Sequence, residues 1–121
     1  MIDKNDLHPR DIVLGNPMYP DQDESKVRPL LVISKSIFQQ NCPYFICVGM
    51  TTNKKPDPFL IPMKRTQVEG DKPLDADIQI MCSRIVGMRH DAIIKKIAKM
   101  SSEYYEKVMN KIKKDILELK I

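Results

Sequence analysis

The chain has 121 residues, 42% hydrophobic and 30% charged, a size and mixture that admit one ordinary soluble domain and exclude two. Twenty Lys and Arg against 16 acids leave a net charge of +4, which permits an anionic partner without requiring one. No apolar run approaches the roughly 20 residues of a membrane span, and the polar opening from Met1 to Arg10 is unlike a signal peptide. The reading is of a single domain over residues 1–121, cytoplasmic and without membrane association. The basic excess is local. Residues 84–121 hold ten basic and five acidic side chains, whereas residues 1–83 hold ten and eleven.

Apolar segments in the first two thirds are short and bounded by Pro, Gly, Asn or Asp, which predicts strands joined by turns. In chain order they are Asp11 to Gly15, Pro29 to Ser34, Phe45 to Thr51, Pro58 to Met63, Ile78 to Ile85 and Ile93 to Met100. The continuous runs Leu30-Leu31-Val32-Ile33 and Phe45-Ile46-Cys47-Val48 predict strands buried on both faces, while Ile78, Ile80 and Cys82 alternate with Gln79 and Met81. Residues 16–27 carry two prolines and the acids Asp21, Asp23 and Glu24, and residues 64–76 are charged with Gly70 and Pro73. Both stretches read as exposed loops. Ser36 to Gln40 admits a single helical turn that Pro43 stops.

One helix is expected, from Ser101 or Ser102 to Leu119. A serine at its start can accept from the free first-turn amides, and Glu103 suits the positive end of the dipole. Tyr105, Val108, Met109, Ile112, Ile116 and Leu119 recur at three- and four-residue steps, an apolar stripe for packing on the sheet. Lys107, Lys111 and Lys114 line another face and read as a solvated flank. The expected class is therefore mainly β, α+β in arrangement, with a C-terminal helix.

The chain has no phosphate loop, no HExxH helix and no nucleophile elbow. Cys42, Cys47 and Cys82 lack the spacing and companion ligands of a zinc site, and their odd number argues against a structural disulfide framework. No metal and no cofactor are expected. His8 and His90 stand near turns without a carboxylate partner in sequence, although Arg84, Arg89 and His90 form a basic run able to approach phosphate. Arg28 directly precedes Pro29, which holds it extended where an acidic loop feeds a buried strand. Local spacing also allows Arg28 simply to pair with Asp23 or Glu24. Thr51 and Thr52 end the most apolar strand and precede Asn53-Lys54-Lys55; their hydroxyls suit either a phosphate or ordinary turn chemistry.

Val27-Arg28-Pro29-Leu30-Leu31-Val32-Ile33-Ser34 resembles the Arg-Pro-x-x-Val-Ile motif of the PemK/MazF toxin family of bacterial type II toxin-antitoxin pairs. Upstream, Arg10-Asp11-Ile12-Val13-Leu14 is similar to that family's opening Gly-Asp-Ile/Val strand. Downstream, Val48-Gly49-Met50-Thr51 matches its strand ending in Thr, at the family's distance from Arg28. Ile97-Ala98-Lys99-Met100-Ser101 and the helix match its Lys-Ile-Gly-x-Leu-Ser and final helix. The resemblance implies a small SH3-like, plasmid-toxin (Kid/PemK-type) β-barrel, a homodimer, and metal-independent endoribonuclease cleavage of single-stranded RNA. It further implies a cognate antitoxin protein that blocks the RNA groove, with DNA reached only through that antitoxin. Arg28 and Thr51 fall on the family's catalytic Arg and Thr; Thr52, Lys54 and Lys55 would bind RNA beside them. The segment Ser83-Arg84-Ile85-Val86-Gly87 departs from the family's Asp/Glu-Gln-Ile-Arg-Thr. Arg84 or Arg89 is then the candidate substitute cation for RNA, and the alternative reading is a catalytically impaired module that binds RNA or a partner protein. Met18, Met50, Met63, Met81 and Met88 are candidates for apolar dimer surface or for core.

Overall fold

The computed structural model describes residues 6–17, 26–35, 41–52 and 57–117. Six strands, β1 (Asp11–Gly15), β2 (Arg28–Val32), β3 (Tyr44–Thr51), β4 (Leu60–Met63), β5 (Ile78–Arg89) and β6 (Ile93–Lys99), form one antiparallel sheet in the order β4-β5-β3-β2-β1-β6. A 3₁₀ turn, His90–Ala92, joins β5 to β6, and helix α1 (Ser102–Lys111) follows. The two strands with continuous apolar runs, β2 and β3, lie at the centre of the order and feed both faces. Leu31, Val48 and Met50 enter one apolar cluster, while Leu30, Val32, Phe45 and Cys47 enter a second. Each such side chain contributes about 1.5–3 kcal/mol by leaving water.

The sheet curls on itself. Residues after β4 meet the end of β6 and the residues that follow it: Val68 bridges Met100, Glu69 N donates to Lys99 O at 2.8 Å, and Ser101 N donates to Gln67 O at 3.1 Å. This seam closes a small barrel, as expected. It also changes the reading of residues 64–76, which are irregular but place Val68 and Leu74 in the first cluster, an apolar contribution hidden among charged neighbours. Arg10 braces the seam, its Nη1 donating to Glu69 Oε1 at 2.6 Å and to Met100 O at 3.3 Å. Its backbone is left-handed, φ 79°, a conformation that favours glycine. The Gly-Asp motif it resembles has glycine at this position.

Strand β5 is longer than its sequence pattern suggests, running through Val86 and Gly87 to Arg89. Its pairing with β3 steps from Met81↔Gly49 to Ile85↔Val48, so residues 82–84 are extra. That bulge breaks the alternation and turns the strand over. Ile78, Ile80 and Cys82 face the first cluster, whereas Val86 and Met88, of the same parity, face the second. β2 begins at Arg28, since Arg28 itself pairs with Gly15 of β1. β4 begins at Leu60, because Asp57 closes a turn over Pro58 and Phe59 by accepting from Phe59 N at 2.8 Å.

Ser101 is the helix cap, its Oγ accepting from Tyr104 N at 3.4 Å. The α-helix ends at Lys111, short of Leu119, and passes into a π turn over Ile112–Ile116 in which Leu117 N donates to Ile112 O at 2.9 Å. The wider turn keeps both Ile112 and Ile116 on the first cluster with Val108 and Tyr104. Of the methionines read as dimer surface or core, Met50, Met63 and Met88 are buried within this one chain and so are core, and Met81 is half-buried. Met18, the acids Asp21, Asp23 and Glu24, the turn at 36–40, and Leu119 lie outside the described residues. Among the described residues no helix is long and apolar enough to cross a membrane.

Candidate functional site

Antiparallel register brings the two principal candidates together. β2 pairs with β3 as Leu30↔Gly49, Leu31↔Val48 and Val32↔Cys47. Continued two residues to the strand ends, the same register sets Arg28 across from Thr51. Residues directly opposite share a face, with Cβ atoms about 4.5–5.5 Å apart. On its other side Arg28 pairs with Gly15, and Thr51 pairs with Gln79, which pairs in turn with Pro62 of β4. One run joins Gly15 to Arg28 and another joins Thr51, Gln79 and Pro62, and the extended register aligns the two in one line across five strands. Its face is opposite to that of Ile78, Ile80 and Met50, which fill the first cluster.

Packing limits the freedom of this line. Arg28 and Thr51 are half-buried, and Arg28 Nε is buried. Beside Arg28, a Cβ on Gly15 would meet Ala92 O and Met88 Cε at 3.2 Å, a tight contact that glycine avoids where the turn after β5 approaches. A guanidinium held at a strand start, with a hydroxyl and a carboxamide beside it, offers a fixed cation and two neutral hydrogen-bonding groups. That set suits an anionic oxygen centre such as a phosphate.

The remaining candidates separate. Thr52 is exposed and lines a half-open cavity of about 520 Å³ with Lys64, Gln67, Asp77, Gln79 and Lys107 over an apolar floor that includes Tyr104. Lys54 and Lys55 lie outside the described residues. Arg84 is half-buried in the bulge, next in register to Val48 and Gly49, on the Thr51 side of the strand. Arg89 is at the other end, opposite Tyr44, about 23 Å along β3 from Thr51 at about 3.3 Å per residue. It is exposed and occupied by Asp91, its Nε 3.3 Å from Oδ1. His90 is half-buried in the 3₁₀ turn, and its Nδ1 has no hydrogen-bond partner among the described residues.

Gln79 and the cavity's Lys64 and Lys107 were not singled out by sequence as site residues. Gln79 showed there only as the polar member of an alternating strand, and its pairing with Thr51 depends on long-range register. The two buried thiols are poor nucleophiles: burial pushes Cys47 up to about 12 and, as its leading cause, Cys82 up to about 11. Among the described residues no group of three His, Cys, Asp or Glu gathers as metal ligands would. On the lysine flank of the helix, Lys111 Nζ donates to Asp115 Oδ2 at 2.8 Å, which raises its pKa, and Lys107 Nζ lies 5.9 Å from the Tyr104 ring centre.

Comparison with known proteins agrees with this architecture. The family model described as PemK-like, MazF-like toxin of type II toxin-antitoxin system matches residues 8–116. Among solved structures, an endoribonuclease in complex with its cognate antitoxin from a mycobacterial species superposes with a TM-score of 0.74 at 14% identity, covering 95% of this chain and 98% of that one. A MazE-MazF structure from Deinococcus radiodurans gives 0.71 at 15% identity, covering 94% and 98%. The toxin MazF-mt6 of Mycobacterium tuberculosis gives 0.71 at 12% identity, covering 93% and 100%. No curated protein sequence matches the chain.

Proposed function

The chain belongs to the PemK-like, MazF-like toxin family of type II toxin-antitoxin systems, and on that premise we propose that it is an endoribonuclease that cleaves single-stranded RNA. What supports the reading is that the β2–β3 register, extended two residues beyond its last pair Leu30↔Gly49, sets Arg28 across from Thr51 on one face. In this reaction the neighbouring 2′ oxygen attacks phosphorus and loses its proton, while the bond from phosphorus to the 5′ oxygen breaks and that oxygen gains a proton. The chemistry needs neither a metal nor a protein nucleophile. It needs charge stabilisation on the crowded phosphate and orientation of the attack. Arg28 is the catalytic cation that stabilises the phosphate oxygens as charge builds. Guanidinium groups in general suit that part better than protonating an oxygen, because they do not readily release a proton. Thr51 holds the scissile phosphate by its hydroxyl, and Gln79 adds an amide donor beside it. Thr52, Lys54, Lys55 and Arg84 extend contact along the strand. Arg89, held by Asp91 at the other end of β3, serves RNA bound further away.

The partners follow the same reading. A cognate antitoxin would cover the line of Arg28 and Thr51, a reading supported by solved relatives that are toxin-antitoxin complexes. A homodimer would extend the groove across two copies, DNA would be reached through the antitoxin alone, and the setting would be the cytoplasm. A second reading, a module that has lost catalysis and binds RNA or a partner protein, is favoured by one observation: the departing segment Ser83 to Gly87 overlaps the bulge of β5. Incubating wild type and Arg28→Ala with single-stranded RNA in EDTA separates the two. Cleavage that falls about 100- to 1000-fold in the variant supports the enzyme. Equal cleavage by both removes Arg28 from the mechanism, and RNA binding without cleavage by wild type selects the second reading.

A further inference from the structure

Thr52 follows the last residue of β3, Ile78 opens β5 and Met63 closes β4, and all three line the half-open cavity of about 520 Å³ beside helix α1. That volume falls within the about 300–1,000 Å³ usual for small-ligand sites. The cavity meets the line of Arg28 and Thr51 through two residues. Thr52 is next in the chain to Thr51, and Gln79 pairs with Thr51 while also lining the cavity. A strand of RNA with its scissile phosphate at Thr51 therefore has this cavity beside it.

Its lining divides into an apolar floor, Ile61, Met63, Ile78 and Tyr104, and a polar rim in which Asp77 is the one acid among the described residues. Asp77 Oδ1 accepts from Arg65 N at 2.7 Å, which orients a carboxylate that still has acceptor capacity. The other rim groups donate. Gln67 Oε1 accepts from Lys64 N at 2.9 Å, so the carboxamide turns its amide nitrogen away from that bond. Lys107 Nζ lies 5.9 Å from the Tyr104 ring centre, a cation–π contact at the edge of the floor. An oriented carboxylate among donors, over an apolar floor, suits a nucleobase better than a phosphate, which the carboxylate would repel.

Single-stranded RNA exposes the Watson–Crick edges of its bases to such groups. Guanine alone sets two adjacent donors, N1–H and the N2 amino group, beside an acceptor, O6, so a carboxylate can accept both donors while a lysine or amide donates to O6. Adenine and cytosine offer a single amino donor beside acceptors, and uracil a single N–H between two carbonyls. We infer that the cavity takes a guanine base adjoining the scissile phosphate, with Asp77 accepting from N1–H and the N2 amino group and Lys64 or Gln67 donating to O6. This rests on RNA lying along Arg28 and Thr51, as the proposed function has it, and adds which base the chain reads there.

The test uses the full chain and short fluorescent uridine strands in which guanine, inosine, adenine or cytosine replaces uracil at a single position, moved stepwise along the strand. Versions with fluorine in place of every 2′ hydroxyl cannot be cleaved through a 2′ oxygen, so their anisotropy reads binding alone. Guanine at one fixed position should bind at least about fivefold more tightly than adenine. Inosine, which lacks only the N2 amino group, should lose most of that gain. Asp77→Asn keeps an oxygen for Arg65 N but removes the charge. It should abolish the preference for guanine while binding plain uridine strands as tightly as wild type or more so, since a negative charge has left the site. Asp77 is exposed, and unchanged thermal midpoints would verify that the variant folds. Equal weakening for every base in Asp77→Asn would mark a structural role and overturn the proposal. So would wild-type binding that ignores the base at every position, or no binding below about 1 mM. Guanosine monophosphate that binds as tightly as the strands, with the same dependence on Asp77, would make this a mononucleotide site and overturn it also. The two readings fail separately: guanine-selective binding without cleavage of the 2′-hydroxyl strands removes catalysis and supports this site, whereas cleavage indifferent to guanine removes this site alone.

Discussion

The two halves of β5 resemble each other in sequence and do different work. Ile78 to Met81 pairs with both β3 and β4 and places Gln79 in the line of Arg28 and Thr51. Ile85 to Arg89 pairs with β3 alone and faces a different core. The three extra residues between them turn the strand over, so one strand closes the helix-covered cluster and then the second cluster that packs behind Gly15. The residues in which the sequence departs from its family motif sit at this turning point. Position relative to the bulge, more than residue type, determines what each side chain of β5 can reach.

Mutations can sharpen that contrast. Ile80→Ala and Met88→Ala empty different clusters and should each cost about 2–5 kcal/mol in urea unfolding. Their double variant should be additive within about 0.5 kcal/mol, and strong coupling would mean that the halves share one core. Gly15→Ala pushes a methyl into Ala92 O and Met88 Cε and should cost about 1–3 kcal/mol while lowering RNA cleavage, because Arg28 pairs with this residue. Gly87→Ala meets nothing within 4 Å and should change stability by less than about 0.5 kcal/mol.

A further effect is a pH dependence. Cys47, whose Sγ lies 3.6 Å from Val86 O, is raised from 9.0 to about 12, and Cys82 is raised to about 11. The unfolded thiols release protons from about pH 9 while the folded ones keep theirs, so their contribution is complete below about 9 and is lost towards 11 and 12. Unfolding free energy should fall between pH 9 and 10.5 by an amount on the order of 1–2 kcal/mol per thiol, and Cys47→Ala should flatten about half of that slope.

Much of the fold was legible because its strands are punctuated by Pro, Gly, Asn and Asp and its helix has a serine cap and a clear apolar stripe. β1 has its expected bounds, and β2 and β3 are central as their unbroken apolar runs implied. The bulge was not legible: Ile78, Ile80, Cys82, Val86 and Met88 all fall on one parity, and only three-dimensional pairing tells which face each takes. The seam was hidden likewise, since Val68 and Leu74 are isolated apolar residues in a charged stretch. Arg28 and Thr51 could be picked out by resemblance, but their neighbour Gln79 could not, because register between strands 28 residues apart is not written in either strand.

The central claim is that Arg28 and Thr51 act on one phosphate. A double-mutant cycle of Arg28→Ala and Thr51→Val, read as kcat/KM for a short single-stranded RNA, tests it most directly. The account predicts that the double variant loses scarcely more activity than Arg28→Ala alone, because residues acting as a unit are strongly non-additive. Losses that simply multiply would mean that the two side chains act at separate places, contradicting the account.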